Sequence, residues 1–246
     1  MEAVKQVQDE CLYCRGQGMP GGCPKCGKES GTRQVVTEVT PEIIQSAAIP
    51  EQYKDVYWDE KRIRADYENM LQNPAFVSYV SKLSRVYDIF AKGGIPKQSL
   101  IVMAPRRFGK VTWAYSCMKQ ALAHGYSVAP MLDNTQYLRL NVLCSERPNS
   151  RYIRKLGYQI EDVDFADVVF ITVDKCNWAG SFRTFDALID KRMRMGKPTF
   201  VISRFSLMEM SRADVFSDSV AGVVDISRRN NTVKYPSFIE CQVKPR

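Results

Sequence analysis

The stretch SLIVMAPRRFGKVT, residues 99–112, decides the fold. Its first half is an apolar run of strand length, its second half is a turn rich in cations, and residues 110–124 continue with the spacing of a helix. A strand that runs through a glycine-lysine turn into a helix is where a phosphate-binding loop sits. Such a loop needs glycines for close backbone approach, a lysine for the β- and γ-phosphates, and a hydroxyl on Mg2+ directly after that lysine. Gly109 and Lys110 satisfy the second half of the G-x-x-x-x-G-K-[ST] pattern, Ala104 stands at the first glycine, and Val111 takes the hydroxyl position with Thr112 one residue late. On a helix that shift turns the hydroxyl by about 100°. The candidate phosphate contacts are Ala104, Arg106, Arg107, Gly109, Lys110 and Thr112. A surface βα turn with basic side chains is the competing reading.

Outward from this stretch, strands and helices alternate. SLIVMA, YSVAPML, DVVFITV, PTFVIS and GVVDIS read as strands, with helices over 110–124, around 134–140, 182–195 and 206–212. That alternation predicts an α/β fold with a parallel sheet covered by helices on both faces. The tail segment SFIECQV reads as a short returning hairpin strand. Upstream, Asp59 caps a helix through WDEKRIRADYENMLQN that Pro74 stops. Phe76, Tyr79, Val80, Leu83, Val86, Tyr87 and Phe90 then form one buried face of a helix closed by Gly93-Gly94. His124, the one histidine, reads as a cap at a helix C-terminus, so a Ser-His-Asp hydrolase has no support.

The chain has 246 residues, 45% apolar and 25% charged, which suits one full-sized domain with a small appendage. It holds no run near the ~18 apolar residues of a membrane helix, and its first ten residues are too polar for a secretory signal. The expectation is a soluble cytoplasmic protein with no membrane partner. The formal charge is +8; residues 1–40 hold five basic and five acidic residues, leaving 30 against 22 in the remainder. A basic main domain suits a polyanion such as nucleic acid.

Cys11, Cys14, Cys23 and Cys26 form two CxxC pairs eight residues apart, each followed by glycine. Such pairs aim four thiolates at one ion, favouring structural zinc that supplies the folding energy a ~30-residue segment lacks. An iron-sulfur centre and two disulfides remain the other readings. The first pair, in the run C-x-x-C-R-G-Q-G, resembles one half of a DnaJ-type zinc repeat. With net charge −2, a filled module favours a protein partner over DNA. The chain divides into a zinc-binding module at 1–30, a linker at 31–48, and a core at 49–246.

Several segments together resemble the DnaC/DnaI/IstB branch of AAA+ ATPases, which load replicative helicases or assist transposases. IPEQY at 49–53, APRRFGKV at 104–111, HGYSV at 124–128, ADVVFITV at 166–173 and the run LIDKRMRMGKPTFVISR at 188–204 follow that family's order over roughly residues 48–235. The resemblance implies a AAA+/RecA-like P-loop core, ATP or ADP as ligand, self-assembly into a homo-oligomer, a hexameric replicative DNA helicase as partner and single-stranded DNA as cargo. A zinc module ahead of the core fits phage-type loaders.

The departures bear on chemistry. The family's two acidic residues align with Thr172 and Val173, with Asp174 one residue beyond, and its asparagine sensor aligns with Arg204. Asp174 and Arg204 are therefore the catalytic candidates. Phosphoryl transfer depends on Mg2+ and a positioned water, so hydrolysis is expected to be weak or absent. An ATPase switch that rebuilds its Mg2+ site from Thr112 and Asp174, and a non-enzymatic adaptor that binds single strands or inhibits a host replication protein, are the alternatives. For nucleic acid, the segment with Arg147, Arg151, Tyr152, Arg154 and Lys155 is the preferred contact. Lys82, Arg85, Lys92 and Lys97 lead into the loop cations, and Lys191, Arg192, Arg194 and Lys197 form a further basic group.

Overall fold

The computed structural model describes residues 47–146, 160–173, 194–205 and 237–240, together with residues 44, 158, 188, 189, 191 and 192. Five strands, β1 (Leu100–Met103), β2 (Leu132–Asp133), β3 (Val169–Val173), β4 (Thr199–Ser203) and β5 (Ser237–Glu240), form one sheet in the order β2-β3-β4-β1-β5. Every pairing is parallel. The register sets the C-terminal ends level: Ser203 lies opposite both Val173 and Met103, and Met103 lies opposite Glu240.

Among the described residues, α-helices flank the sheet: α1 (Glu60–Asp66), α2 (Pro74–Ala91), α3 (Lys110–Ala123), α4 (Asn134–Glu146) and α5 (Ile160–Phe165). Strand side chains alternate between the two faces. Leu100, Val102, Val168, Phe170, Phe200 and Ile202 pack with α2 and α3, while Ile101, Val169, Ile171, Val173 and Val201 pack with α4, α5, Leu188 and Ile189. Burial on both faces is why the strands read as unbroken apolar runs. This is the α/β fold, a parallel sheet flanked by helices, that the sequence implies.

The first face centres on aromatic rings. Phe170 and Phe200 stack at 4.7 Å, Trp113 meets Phe170 edge-on at 5.8 Å, and Phe90 lies 5.6 Å from Phe200. The Trp113 indole N–H donates to the Leu83 carbonyl at 2.9 Å, which locks α3 to α2. Fully burying rings of this kind stabilises by roughly 1.5–3 kcal/mol each.

Three sequence expectations change. Asp59 does cap α1, accepting from the amides of Lys61 and Arg62, but that helix ends at Tyr67 (φ −123°, ψ 40°) instead of reaching Pro74. Pro74 starts α2: it sits in the first turn, where its missing N–H costs nothing, and the Asn73 side chain accepts from the Ala75 amide at 3.0 Å. The YSVAPML run shrinks to a Val128–Val168 bridge and the two residues of β2, because Pro130 lacks the ladder donor between them. The tail strand β5 is no hairpin; it pairs parallel with β1. A parallel return needs a crossover of about a dozen residues or more, and the chain between β4 and β5 is long enough. His124 does cap α3, its amide bonding the Gln120 and Ala121 carbonyls.

Candidate functional site

The glycine-lysine loop, residues 104–109, leaves the C-terminal edge of β1 and feeds α3. At the place of the first glycine, Ala104 is still extended chain: its amide donates to the Ser203 carbonyl at 3.2 Å and its methyl belongs to the core. No glycine is needed there. The left-handed turns come later, at Arg107 (φ 69°) and Gly109 (φ 72°). Gly109 is required twice over, because a Cβ at that position would also lie 3.3 Å from the Trp58 ring and 3.4 Å from Ile63.

Side-chain donors grip the loop's carbonyls. The Tyr67 hydroxyl donates to the Arg107 carbonyl, and the Tyr79 hydroxyl donates to the Phe108 carbonyl at 3.1 Å. Burial and the neighbouring Asp66 charge raise the Tyr67 pKa, so it stays a donor. The Phe108 ring packs 5.7 Å from both Tyr67 and Phe76. A peptide's C=O and N–H point opposite ways, so these bonds turn the Phe108 and Gly109 amides away from the tyrosines. Among the described residues, the amides of Arg106 to Gly109 find no backbone acceptor. Together with the N-terminus of α3 they make an anion cradle.

Lys110 is buried, and its ammonium donates to the Pro105 carbonyl at 2.8 Å. Meeting a phosphate therefore requires it to give up that bond. The Mg2+ side of the site is poor. Val111 brings no hydroxyl, and Thr112 follows it in the first turn of α3. Thr172 is half-buried, on the α3 side of the sheet by alternation, whereas Val173 is fully buried among the α4 and α5 side chains. Asp133, at the end of β2, is committed to capping α4: it accepts from the Gln136 amide at 2.7 Å, and the Gln136 side chain accepts from the Asp133 amide at 2.9 Å.

Arg204 directly follows Ser203, whose carbonyl bonds Ala104, so it stands next to the start of the loop. It is exposed, with its guanidinium carbon 4.7 Å from the Phe205 ring centroid. The other sequence candidates, namely Asp174, the cysteines 11, 14, 23 and 26, and the contact group Arg147, Arg151, Tyr152, Arg154 and Lys155, lie outside the described residues. Among the described residues no cluster of His, Cys, Asp or Glu forms a metal site, and no helix is long and apolar enough to cross a membrane.

Three members of the basic group around 191–197, Lys191, Arg192 and Lys197, serve the structure. Arg192 is fully buried and donates to the carbonyls of Val163, Asp164, Ala166 and Pro198 and to the Thr199 hydroxyl. Burial brings its pKa down to about 10, against the opposing pull of Asp164 and Asp167. Lys191 pairs with Asp164 at 2.6 Å and Lys197 with Asp167 at 3.4 Å. The arginine closes the carbonyl end of α5 and ties it to the start of β4.

Sequence reading missed Trp58, Tyr67 and Tyr79, which hold the loop from behind, and Lys119, which holds the segment leading to Trp58. Lys119 on α3 is 1% exposed; its ammonium donates to the carbonyls of Tyr53 and Lys54 at 2.8 Å and of Val56 at 2.5 Å, and lies 3.7 Å from the Tyr57 ring. Burial lowers its pKa to about 8. A lysine in the buried stripe Trp113, Ser116, Lys119 is the signal that was available.

No protein-family model matches the chain, and no curated protein matches it in sequence. Among solved structures it is similar to DnaI (TM-score 0.45, 16% identity, covering 67% of this chain and 82% of that one). It is similar to the DnaC helicase loader (TM-score 0.46, 13% identity, 78% of this chain and 100% of that one). A third is the replication initiator DnaA bound to AMPPCP and single-stranded DNA (TM-score 0.45, 11% identity), of which this chain spans under half, 46%, over 67% of its own length. The parallel order β2-β3-β4-β1-β5 and the unit of β1, loop and α3, read from the chain itself, carry the fold.

Proposed function

We propose that this protein is a replicative DNA helicase loader acting in the cytoplasm. In this reading Cys11, Cys14, Cys23 and Cys26 hold one zinc ion, and the module at 1–30 grips a hexameric helicase. The core binds single-stranded DNA, in part through Arg147, Arg151, Tyr152, Arg154 and Lys155, and assembles with copies of itself. Lys110 and the loop amides bind the phosphates of ATP or ADP, with hydrolysis slow or absent.

One observation carries the reading. The segments IPEQY, APRRFGKV, ADVVFITV and GKPTFVIS, which resemble the loader family in order, fall in succession around one parallel sheet, with the glycine-lysine loop at its C-terminal edge. A second reading, a non-enzymatic adaptor, is favoured by Val111, Thr172 and Val173 standing where Mg2+ chemistry needs a hydroxyl and carboxylates. Recovery from the native cell by affinity pull-down, comparing the intact chain with one lacking residues 1–30, separates them. A replicative helicase recovered with the intact chain and lost on truncation supports the loader; nucleic acid without a helicase supports the adaptor. Elemental analysis checks the metal: one zinc per chain, lost in Cys11→Ser together with Cys23→Ser, is the expected result.

A further inference from the structure

The glycine-lysine loop carries exposed charge as well as its amide cradle. Arg106 and Arg107 are both exposed, and among the described residues neither guanidinium has a hydrogen-bond or ion-pair partner. The hydrogen bond from Ala104 to the Ser203 carbonyl brings Arg204 to the start of the same loop, exposed and lying over the Phe205 ring. Asp66, next to the Tyr67 that bonds the Arg107 carbonyl, faces Arg62 at 4.0 Å. The contrast with the other basic group is sharp: Arg192, Lys191 and Lys197 are buried or paired, whereas these three arginines are not.

We infer that Arg106, Arg107 and Arg204 form a contact for single-stranded nucleic acid, with the loop arginines on its phosphodiester backbone and the Arg204–Phe205 pair as a platform for a base. Three observations favour this over a nucleotide's phosphates or an acidic protein. The arginines are exposed, whereas Lys110, the loop's own lysine, is buried and bonded to the Pro105 carbonyl. The patch consists of arginines, whose planar forks match phosphate oxygens in pairs. A guanidinium lying over a ring is a surface on which bases stack, and an acidic peptide has no use for it. The backbone adds a fourth sign: Arg107 is held left-handed, where glycine would be relaxed, and non-glycine residues kept in this region cluster at binding sites.

The inference deepens the single-strand binding proposed above and rests on it. The test is fluorescence anisotropy of a labelled oligothymidylate titrated with the full chain at several salt concentrations. The variants are Arg106→Gln with Arg107→Gln, Arg204→Gln, and, as a control of equal charge change, Lys61→Gln with Arg139→Gln on α1 and α4. All five substituted positions are exposed, and thermal melting of each variant checks that it folds. The loop pair is expected to weaken binding about tenfold or more and to flatten the salt dependence by about one to two counterions, with the control within about twofold of wild type. Unchanged affinity and slope in the loop variants, equal loss in the control, or preference for polyglutamate over oligothymidylate would overturn it. The loader reading is scored separately, because the loop variants should still recover the helicase in the pull-down. A chain that recovers the helicase yet binds no oligothymidylate sinks the single-strand binding proposed above and this inference with it, whereas loop variants that bind oligothymidylate like wild type sink this inference alone.

Discussion

Two residues, Arg107 and Lys119, hold positions their chemistry does not favour, and each makes a prediction. Arg107 sits at φ 69°, a conformation that costs a non-glycine residue on the order of 1 kcal/mol. Arg107→Gly is therefore expected to stabilise the fold by about 0.5–1 kcal/mol in denaturant titration while weakening oligothymidylate binding. Destabilisation instead would mean that the arginine side chain packs against the loop. Lys119 is buried as an ammonium that three carbonyls share, and its pKa falls to about 8 from the ordinary lysine value of 10.5. Between those values the unfolded chain binds more protons than the folded one, so the contribution of Lys119 rises with pH. It is full above the unfolded value and is lost as pH falls through about 8. Raising pH from 7.5 to 9.5 should thus favour wild type by about 1–2 kcal/mol relative to Lys119→Met, measured as the difference in their unfolding free energies. At pH 7.5 the same substitution should already cost about 2–4 kcal/mol, because it strands the carbonyls of Tyr53, Lys54 and Val56.

Elements were legible in proportion to how local their cause is. β1, β3 and β4 are buried on both faces and announce themselves as LIVM, VFITV and TFVIS. The buried side of α2 follows from Phe76, Tyr79, Val80, Leu83 and Phe90 at helical spacing. What could not be read depends on distant partners. Tyr67 and Tyr79 reach the loop across separations of 40 and 29 residues, so the sequence marks Gly109 and Lys110 but not the two hydroxyls that orient their loop. The basic run at 191–197 looked like a groove because charge is visible in sequence and burial is not; only the fold reveals that Arg192 bridges α5 and β4. That joint is strong and specific. Arg192→Met should cost about 3–5 kcal/mol or yield insoluble protein, since it removes donors from four buried carbonyls at once. Arg192→Lys should recover only a small part of this, because one ammonium cannot span the positions a planar fork reaches. Chemical denaturation of both variants checks it, and near-complete rescue by lysine would show that charge, not geometry, closes the joint.

At the scale of the whole molecule, the sheet brings the ends of β1, β3 and β4 level, which is the arrangement that lets one edge gather a phosphate, a metal and a water. The frame of such a site is therefore in place, while Val111 brings no hydroxyl and Thr172 and Val173 bring no carboxylate, and the two facts can be separated by adding such groups. Thr172 is half-buried on the α3 face, so Thr172→Asp places a carboxylate where it keeps access to water and to the first turn of α3. Val173→Glu is the wrong repair: the side chain at that position is fully buried in the apolar cluster under α4 and α5, and a carboxylate there would cost several kcal/mol. Val111→Thr supplies the missing hydroxyl directly after Lys110. Wild type is expected to bind a fluorescent ATP analogue with an affinity that Mg2+ changes by less than about twofold, and to release phosphate at the background rate. The Val111→Thr, Thr172→Asp double variant is expected to gain about tenfold or more in affinity when Mg2+ is added. A wild type that already depends on Mg2+ would instead point to Thr112 and Asp174 as working ligands, and Asp174→Asn would then abolish the dependence. Absence of nucleotide binding in both proteins would mean that the Lys110–Pro105 bond keeps the cradle closed, leaving the loop's exposed arginines as its working surface.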